Sequence, residues 1–283
     1  MGALMRAFDW SSSALGPPEN WSVTLQTTTR LLLANSFPML LWWGPDFVQL
    51  YNDAYIPVLG NKHPDAALGK PFRECWNEVF DVLGPLAEIP FRGGPATWME
   101  DIPLELIRHG YQEEAHFTIS YSPVPDPLAP HGIGGVLAIV HEISDKIVAE
   151  RRILALRDVG TGSAEPMQAE DACDAAAKIL GSYEKDVPFS LIYLLDESGK
   201  SAHLSGSAGV DDCPDLCPNS IDLRNPSAIW PLALSMQTED IVVVDDLARR
   251  SEHLPPGPWA DPIGAVTRLS PSSRRRLTNS PDF

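Results

Sequence analysis

Hydrophobic positions along this chain switch between two spacings. Trp21, Leu25 and the cluster Leu31 to Leu33 recur at near-helical intervals, so Glu19 to Asn35 is expected to be a helix behind the loop 11–18. Phe37 to Trp43 is a dense apolar run closed by Gly44-Pro45 and predicts a buried strand; Phe47 to Tyr51 alternates and predicts its hairpin partner. Asn52 or Asp53 can cap a short helix that Gly60 stops, and residues 64–94 predict helical pieces cut by Gly and Pro. Three strands are expected next. Thr97 to Arg108 carries Pro103, which points to an edge or a bulge. Gln112 to Pro123 alternates, with Ala115, Phe117, Ile119 and Tyr121 on one face, and Gly134 to Ile143 completes the set. Two strands, short helices and three strands describe an α+β unit.

Residues 145–159 predict a further helix, opened by Ser144 or Asp145 and stopped by Gly160. Its stripe of Val148, Arg152, Ala155 or Leu156, and Val159 is short for a coiled coil; it suits a solvated connector or a pairing across a dimer. Beyond it, Ala169 to Leu180 reads as a helix, Phe189 to Leu195 and Ala202 to Gly206 as strands around the turn Asp196 to Lys200, Ser227 to Ser235 as a helix and Ile241 to Val244 as a buried strand. Pro255-Pro256-Gly257-Pro258 breaks the pattern, and a strand beginning at Ala265 would have nothing after it to pair with.

Composition narrows the classes of function. The 283 residues suit about two domains. With 38 acidic against 21 basic side chains the net charge is −17, a field that repels phosphate backbones and acidic membrane surfaces, so neither nucleic acid nor membrane is expected as a partner. Leu31 to Trp43, the best apolar stretch, is broken by Asn35, Ser36 and Pro38 and is too short to span a bilayer, and the N-terminus lacks the basic head and apolar core of a signal peptide. Four cysteines are too few for a disulfide scaffold. These features favour a soluble, reduced, cytoplasmic protein. Charge also divides the chain: residues 1–143 are net −9 and hold six of the eight tryptophans, residues 165–261 are net −12, and residues 262–283 swing to +3 and are expected to be a disordered basic tail.

Four stretches carry a family resemblance: Phe37-Pro38-Met39-Leu40-Leu41-Trp42-Trp43-Gly44, Leu50-Tyr51-Asn52-Asp53-Ala54-Tyr55, Leu68 to Trp76, and Gly135 to Ser144. Together they resemble a PAS domain over residues 37–143, the last of them as the strand end, here Glu142-Ile143-Ser144, from which PAS domains pass into a signalling helix. With the leader Arg6 to Trp10 and Leu15 to Trp21, the chain looks like the input region of a (hybrid) sensor histidine kinase, and residues 165–261 are similar to the first part of a GAF domain. The resemblance implies a PAS fold, a five-stranded antiparallel sheet with short helices, followed by a truncated GAF-like α+β domain. The implied order is a leader helix (1–36), PAS domain (37–143), connector (144–164), partial GAF-like domain (165–261) and tail (262–283). The implied function is a sensory module of two-component signalling, pairing as a homodimer or with a full-length kinase. Kinase dimerisation helices and ATP-binding boxes do not follow, so no enzymatic activity is expected of this chain; the alternative reading is a truncated or misread kinase fragment with no activity of its own.

Trp42, Tyr51, Phe91, Trp98 and Phe117 are the candidates to line an internal cavity for a small ligand, against the simpler reading that they are core. No cofactor is expected. Cys75 lies six positions after Gly69 without the Gly-x-Asn that precedes a flavin-reactive cysteine, and Val82 to Gly94 holds no histidine for haem. His141-Glu142 resembles a phosphoacceptor pair, but the strand pattern of Gly134 to Val140 before it assigns His141 to a strand end. Cys213 and Cys217 lack the further ligands a zinc site needs.

Overall fold

A computed structural model of the chain describes residues 1–162, 168–225, 228–238, 240–244, 247–251, 253–255 and 267–269. The chain divides into two compact units, residues 1–148 and 149–283. Among the described residues no helix is long and apolar enough to cross a membrane.

The first unit opens with α1 (Gly2–Ala7) and α2 (Val23–Ala34). The expected helix begins four residues later than its apolar pattern, because Pro18–Asn20 forms a 3-10 turn and the Ser22 hydroxyl caps the Leu25 amide at 3.1 Å. Leu25, Thr29 and Leu32 form the buried stripe, whereas Leu31 faces out. Strands β1 (Met39–Trp43) and β2 (Val48–Tyr51) make the hairpin. Short helices α3 (Ile56–Leu59), α4 (Phe72–Cys75) and α5 (Phe80–Phe91) cross to β3 (Thr97–Ile107), β4 (Gln112–Pro125) and β5 (Ile133–Glu142). All pairings are antiparallel, in the order β2-β1-β5-β4-β3, so the last strand inserts beside the first. This is the PAS-like arrangement that the sequence resemblance implied.

Asn52 ties the hairpin to its surroundings. Its buried amide donates to the carbonyls of Asn35 (3.0 Å) and Phe37 (2.7 Å), and its oxygen accepts from the amides of Met39 and Tyr55, both at 3.1 Å. Both amide hydrogens and the carbonyl oxygen are thus satisfied without water.

The 64–94 region holds helical pieces as expected, and the longer of them, α5, runs through Gly84, Pro85 and Pro90. Pro90 leaves the Leu86 carbonyl without its helical donor, and the Thr97 hydroxyl supplies one at 3.4 Å. Pro103 lies on the edge strand β3, and the register with β4 shifts between Met99 and Ile102 where Asp101 has φ 53°, so both an edge and a bulge are present. The alternating face of β4 lies inward: Ala115, Phe117, Ile119 and Tyr121 are all buried. They pack with Leu40, Trp42 and Val140 in one core that also takes Met5, Trp10, Leu25 and Leu32 from the leader.

From β5 the chain enters α6 (Ser144–Gly162), which passes the expected stop at Gly160. The second unit contains α7 (Ala169–Gly181), β6 (Ser190–Leu195), β7 (Ser201–Ala208), β8 (Ser220–Asp222), α8 (Leu232–Thr238), β9 (Val242–Val244), α9 (Leu247–Arg250) and β10 (Thr267–Leu269). Two separate antiparallel sheets result, β6-β7-β8 and β9-β10. Helix α7 lies so close on β7 that a Cβ at Gly206 would sit 2.4 Å from the Cys173 carbonyl oxygen. Trp230 anchors a small core with Leu216, Ile221 and Leu247, its indole donating to the Leu216 carbonyl at 2.7 Å. The expected disordered tail lies outside the described residues except for 267–269, which pair with β9 instead of standing alone.

Candidate functional site

The first unit offers an inner chamber and a polar junction where the sheet hands over to α6. The chamber lies between the inner face of the sheet and the crossover helices. Trp42 stacks on Phe72 at 4.3 Å between ring centroids and meets Tyr121 edge-on at 5.0 Å; with Tyr55, Trp76 and Phe117 these rings form the aromatic part of its wall. The void is about 30 Å³. That is room for a water or two, an order of magnitude below an ordinary ligand pocket. Its polar features are few. The Trp76 indole nitrogen is buried without a hydrogen-bond partner, and burial pushes the Tyr55 and Tyr121 phenols well up from their ordinary value, so both stay neutral.

Of the five residues expected to line such a cavity, the structure brings two together there, Trp42 and Phe117. Tyr51 is buried opposite Leu40 with its ring 6.0 Å from that of Tyr55, but its hydroxyl meets His63 Nδ1 at 2.9 Å and it is not part of the wall. Phe91, at the end of α5, packs on Phe47 at 4.9 Å. Trp98 is corrected outright: it is 65% exposed on β3, opposite Ser120, because the bulge at Asp101 separates its alternation from the inward set Leu104 and Leu106. The sequence reading missed Tyr55 and Trp76 as wall residues; for Tyr121, the alternation of β4 already carried the signal.

At the junction, Arg108 from the end of β3 is nearly buried and reaches two carboxylates. Its Nη1 and Nη2 donate to Glu142 at 2.7 and 2.6 Å, a bidentate fork, and its Nε donates to Glu113 at 2.8 Å. Glu142 also accepts from the Ser144 hydroxyl at 2.9 Å, and that hydroxyl accepts from the His116 amide at 2.9 Å. The Ile143 amide donates to the His116 carbonyl at 2.8 Å. One chain of bonds therefore joins β3, β4, the last residue of β5 and the first residue of α6. Burial pulls the Glu142 carboxyl up, but the Arg108 fork and the Ser144 hydroxyl outweigh it and hold the carboxyl below its ordinary value. Glu142 in turn raises the already high guanidinium value of Arg108.

Gly60 completes the seat. It has φ 54°, and a Cβ there would lie 2.4 Å from the Arg108 carbonyl oxygen, which accepts from the Asn61 amide at 2.6 Å. Arg108, Glu142 and Ser144 also wall a surface groove of about 740 Å³, together with Gly60, His109 and His141. The larger concavity of the unit is thus outside, against the junction, and the smaller is inside.

The remaining candidates of the sequence are placed simply. His141 lies on β5 opposite Thr118, in a strand. Cys75 is buried at the end of α4 and burial raises its thiol, so little thiolate forms. Cys213 and Cys217 are free thiols, and among the described residues no group of three or more His, Cys, Asp or Glu side chains is placed to hold a metal.

No protein-family model and no curated protein matches the chain. Solved structures similar to it include the PAS domain of Bordetella pertussis BvgS, at 20% identity over 47% of this chain and 96% of that one, with a TM-score of 0.31. A Rhodobacter sphaeroides LOV protein is similar at 13% identity over 55% and 89% of the two chains, TM-score 0.35. A sensory box sensor histidine kinase from Vibrio cholerae is similar at 15% identity over 44% and 98%, TM-score 0.29.

Proposed function

We propose that the chain is a sensory input module of the two-component histidine-kinase type, without catalytic activity of its own. In this reading the PAS-like unit senses a small ligand or a partner, α6 carries the response, and the second unit is a GAF-like domain that receives it. Residues 165–261 support the GAF-like part by resemblance and by α7 packed on an antiparallel sheet. The observation that carries the reading is the clasp Arg108–Glu142–Ser144, because it makes the start of α6 depend on the packing of β3 and β4.

A ligand shifts such a device only through unequal affinity for its two states. With a void of about 30 Å³, a ligand in the chamber must displace Trp42, Phe72 or Tyr121, and the sheet face they rest on leads directly to the clasp. A partner has a second route, through the groove that the clasp itself walls. The kinase is supplied in trans or as a further part of the same system.

The test places this chain ahead of a histidine-kinase core of known basal activity. Replacing Arg108 by Ala should change autophosphorylation about fivefold or more, the usual scale of coupling between sites. Equal output from the parent and the variant, both folded by circular dichroism, would refute the sensory reading.

A further inference from the structure

The second unit carries a strand edge whose chemistry differs from every other edge in the described structure. In the first unit, β2 is covered by the loop 69–72: the Gln49 amide donates to the Lys70 carbonyl and the Phe72 amide to the Phe47 carbonyl, both at 3.0 Å. The other edge, β3, carries Pro103, the bulge at Asp101, and the charges of Glu100 and Glu105. In the second unit β8 is three residues long and ends at Asp222, and β9 and β10 are equally short. Each edge is protected by cover, proline, bulge, charge or brevity, the recognised defences against edge-to-edge pairing.

Strand β6 has none of them. Ser190-Leu191-Ile192-Tyr193-Leu194-Leu195 is six residues long, uncharged and free of proline. The bulge opposite Ile192 and Tyr193 lies in β7, where Ser205 is skipped, so β6 itself keeps strict alternation. It pairs with β7 alone, and among the described residues its outer backbone groups have no partner. None of its six side chains is fully buried, although Ala202 and Gly206 of the adjacent β7 are. Leu191 and Tyr193 lie on the Trp230 side, and Ile192, opposite Gly206, lies on the α7 side. Both faces are thus half-covered sheets ending in open apolar edges.

We infer that the β6 edge pairs antiparallel with β6 of a second copy of this chain, joining two three-stranded sheets into one. The self-complementarity of the strand selects that occupant. A two-fold axis through Tyr193 sets Leu191 beside the second copy's Leu195 and Ile192 beside its Leu194, so apolar residues meet on both faces. The pairing brings no like charges together within the strand, despite the acidic chain around it. Asp196 and Glu197 end the uncharged run and disfavour the larger shifts that would carry Asp196 onto the second copy's Asp196.

The test uses the full chain. Sedimentation velocity across a concentration series should show reversible dimer formation. Hydrogen exchange over 190–195 should slow as concentration rises, while peptides from α6 do not change. Leu195→Lys, at the most exposed position of the strand, should weaken association about tenfold or more with the melting curve retained. Should that variant unfold, the exchange of the parent chain alone decides. A chain that remains monomeric up to about 100 µM overturns the inference. So does association in which protection falls on α6 or the first unit and leaves β6 unchanged.

Discussion

Arg108 and Asn52 are two buried polar residues of the first unit, and they act through different physics. Arg108→Ala strands Glu142 in a half-buried site with its cation gone. Breaking a buried pair costs about 3–5 kcal/mol, and partial exposure of Glu142 lowers the expected loss to about 2 kcal/mol. Urea unfolding checks it, and exchange of the 144–150 amides should quicken in the same variant. The pH dependence has a definite sign. The Glu142 value is lowered on folding, so its contribution is complete above the ordinary 4.5 and is lost as pH falls through the lower folded value. Exchange at the root of α6 should therefore be flat, after correction for intrinsic rate, from neutral pH down to about 4.5, rise as pH falls from there through the folded value, and level off below it. Asn52→Ala leaves two carbonyls and two amides to find new partners in a buried site and should cost about 3 kcal/mol by the same unfolding measurement. At this scale the sequence told part of the story. Asn52 was visible as a cap because its spacing to Tyr55 is local. Arg108 was not, since its partners lie 5 and 34 residues away and only the fold brings them together. Trp98 was misplaced because the bulge at Asp101 resets the face; Pro103 signalled an edge or a bulge, but not where along the strand the alternation would reset.

Elements follow the apolar pattern wherever they are long enough to have a period. The strands β1, β4 and β5 fall within a few residues of expectation, and β4 lies with its alternation inward. The shortest elements escaped the apolar pattern for one reason. Strand β8 has three residues and α9 has four, too few for any periodicity to emerge. Helix α5 keeps Pro85 and Pro90 inside it, and the Thr97 hydroxyl repairs one of the lost bonds. Thr97→Val keeps the shape and removes that donor; a loss of about 0.5–1 kcal/mol in thermal or urea unfolding is expected. The junction between α3 and β3 is tighter. Gly60→Ala puts a methyl against the Arg108 carbonyl at a positive φ, so it should destabilise by about 2 kcal/mol or more and loosen the clasp with it. A Gly60→Ala chain whose α6 root exchanges no faster than the parent's would uncouple the two elements.

On the scale of the whole molecule, charge opposes compactness. A net charge of −17 repels itself, and raising NaCl from about 20 mM to about 500 mM shrinks the screening length from about 20 Å to about 4 Å. The melting temperature should rise by several degrees, read by differential scanning fluorimetry; a fall would show that ion pairs outweigh the repulsion. That the chain holds two units was legible from its length, and tryptophan content and motif both change near the division at 148. The architecture of the second unit was less so, since its strands are short and its two sheets are held by scattered contacts around Trp230 rather than by one repeating face.

The nearly filled interior of the first unit also bears on time. A chamber of about 30 Å³ behind stacked rings cannot be occupied at the rate of diffusion. Occupancy waits for the rings to part, a collective motion of the microsecond-to-millisecond class or slower. Fluctuations in the surrounding concentration that are briefer than this interval would leave no trace on α6, and only persistent ones would register. In the sensory reading proposed above, close packing would thereby act as a low-pass filter on ligand concentration.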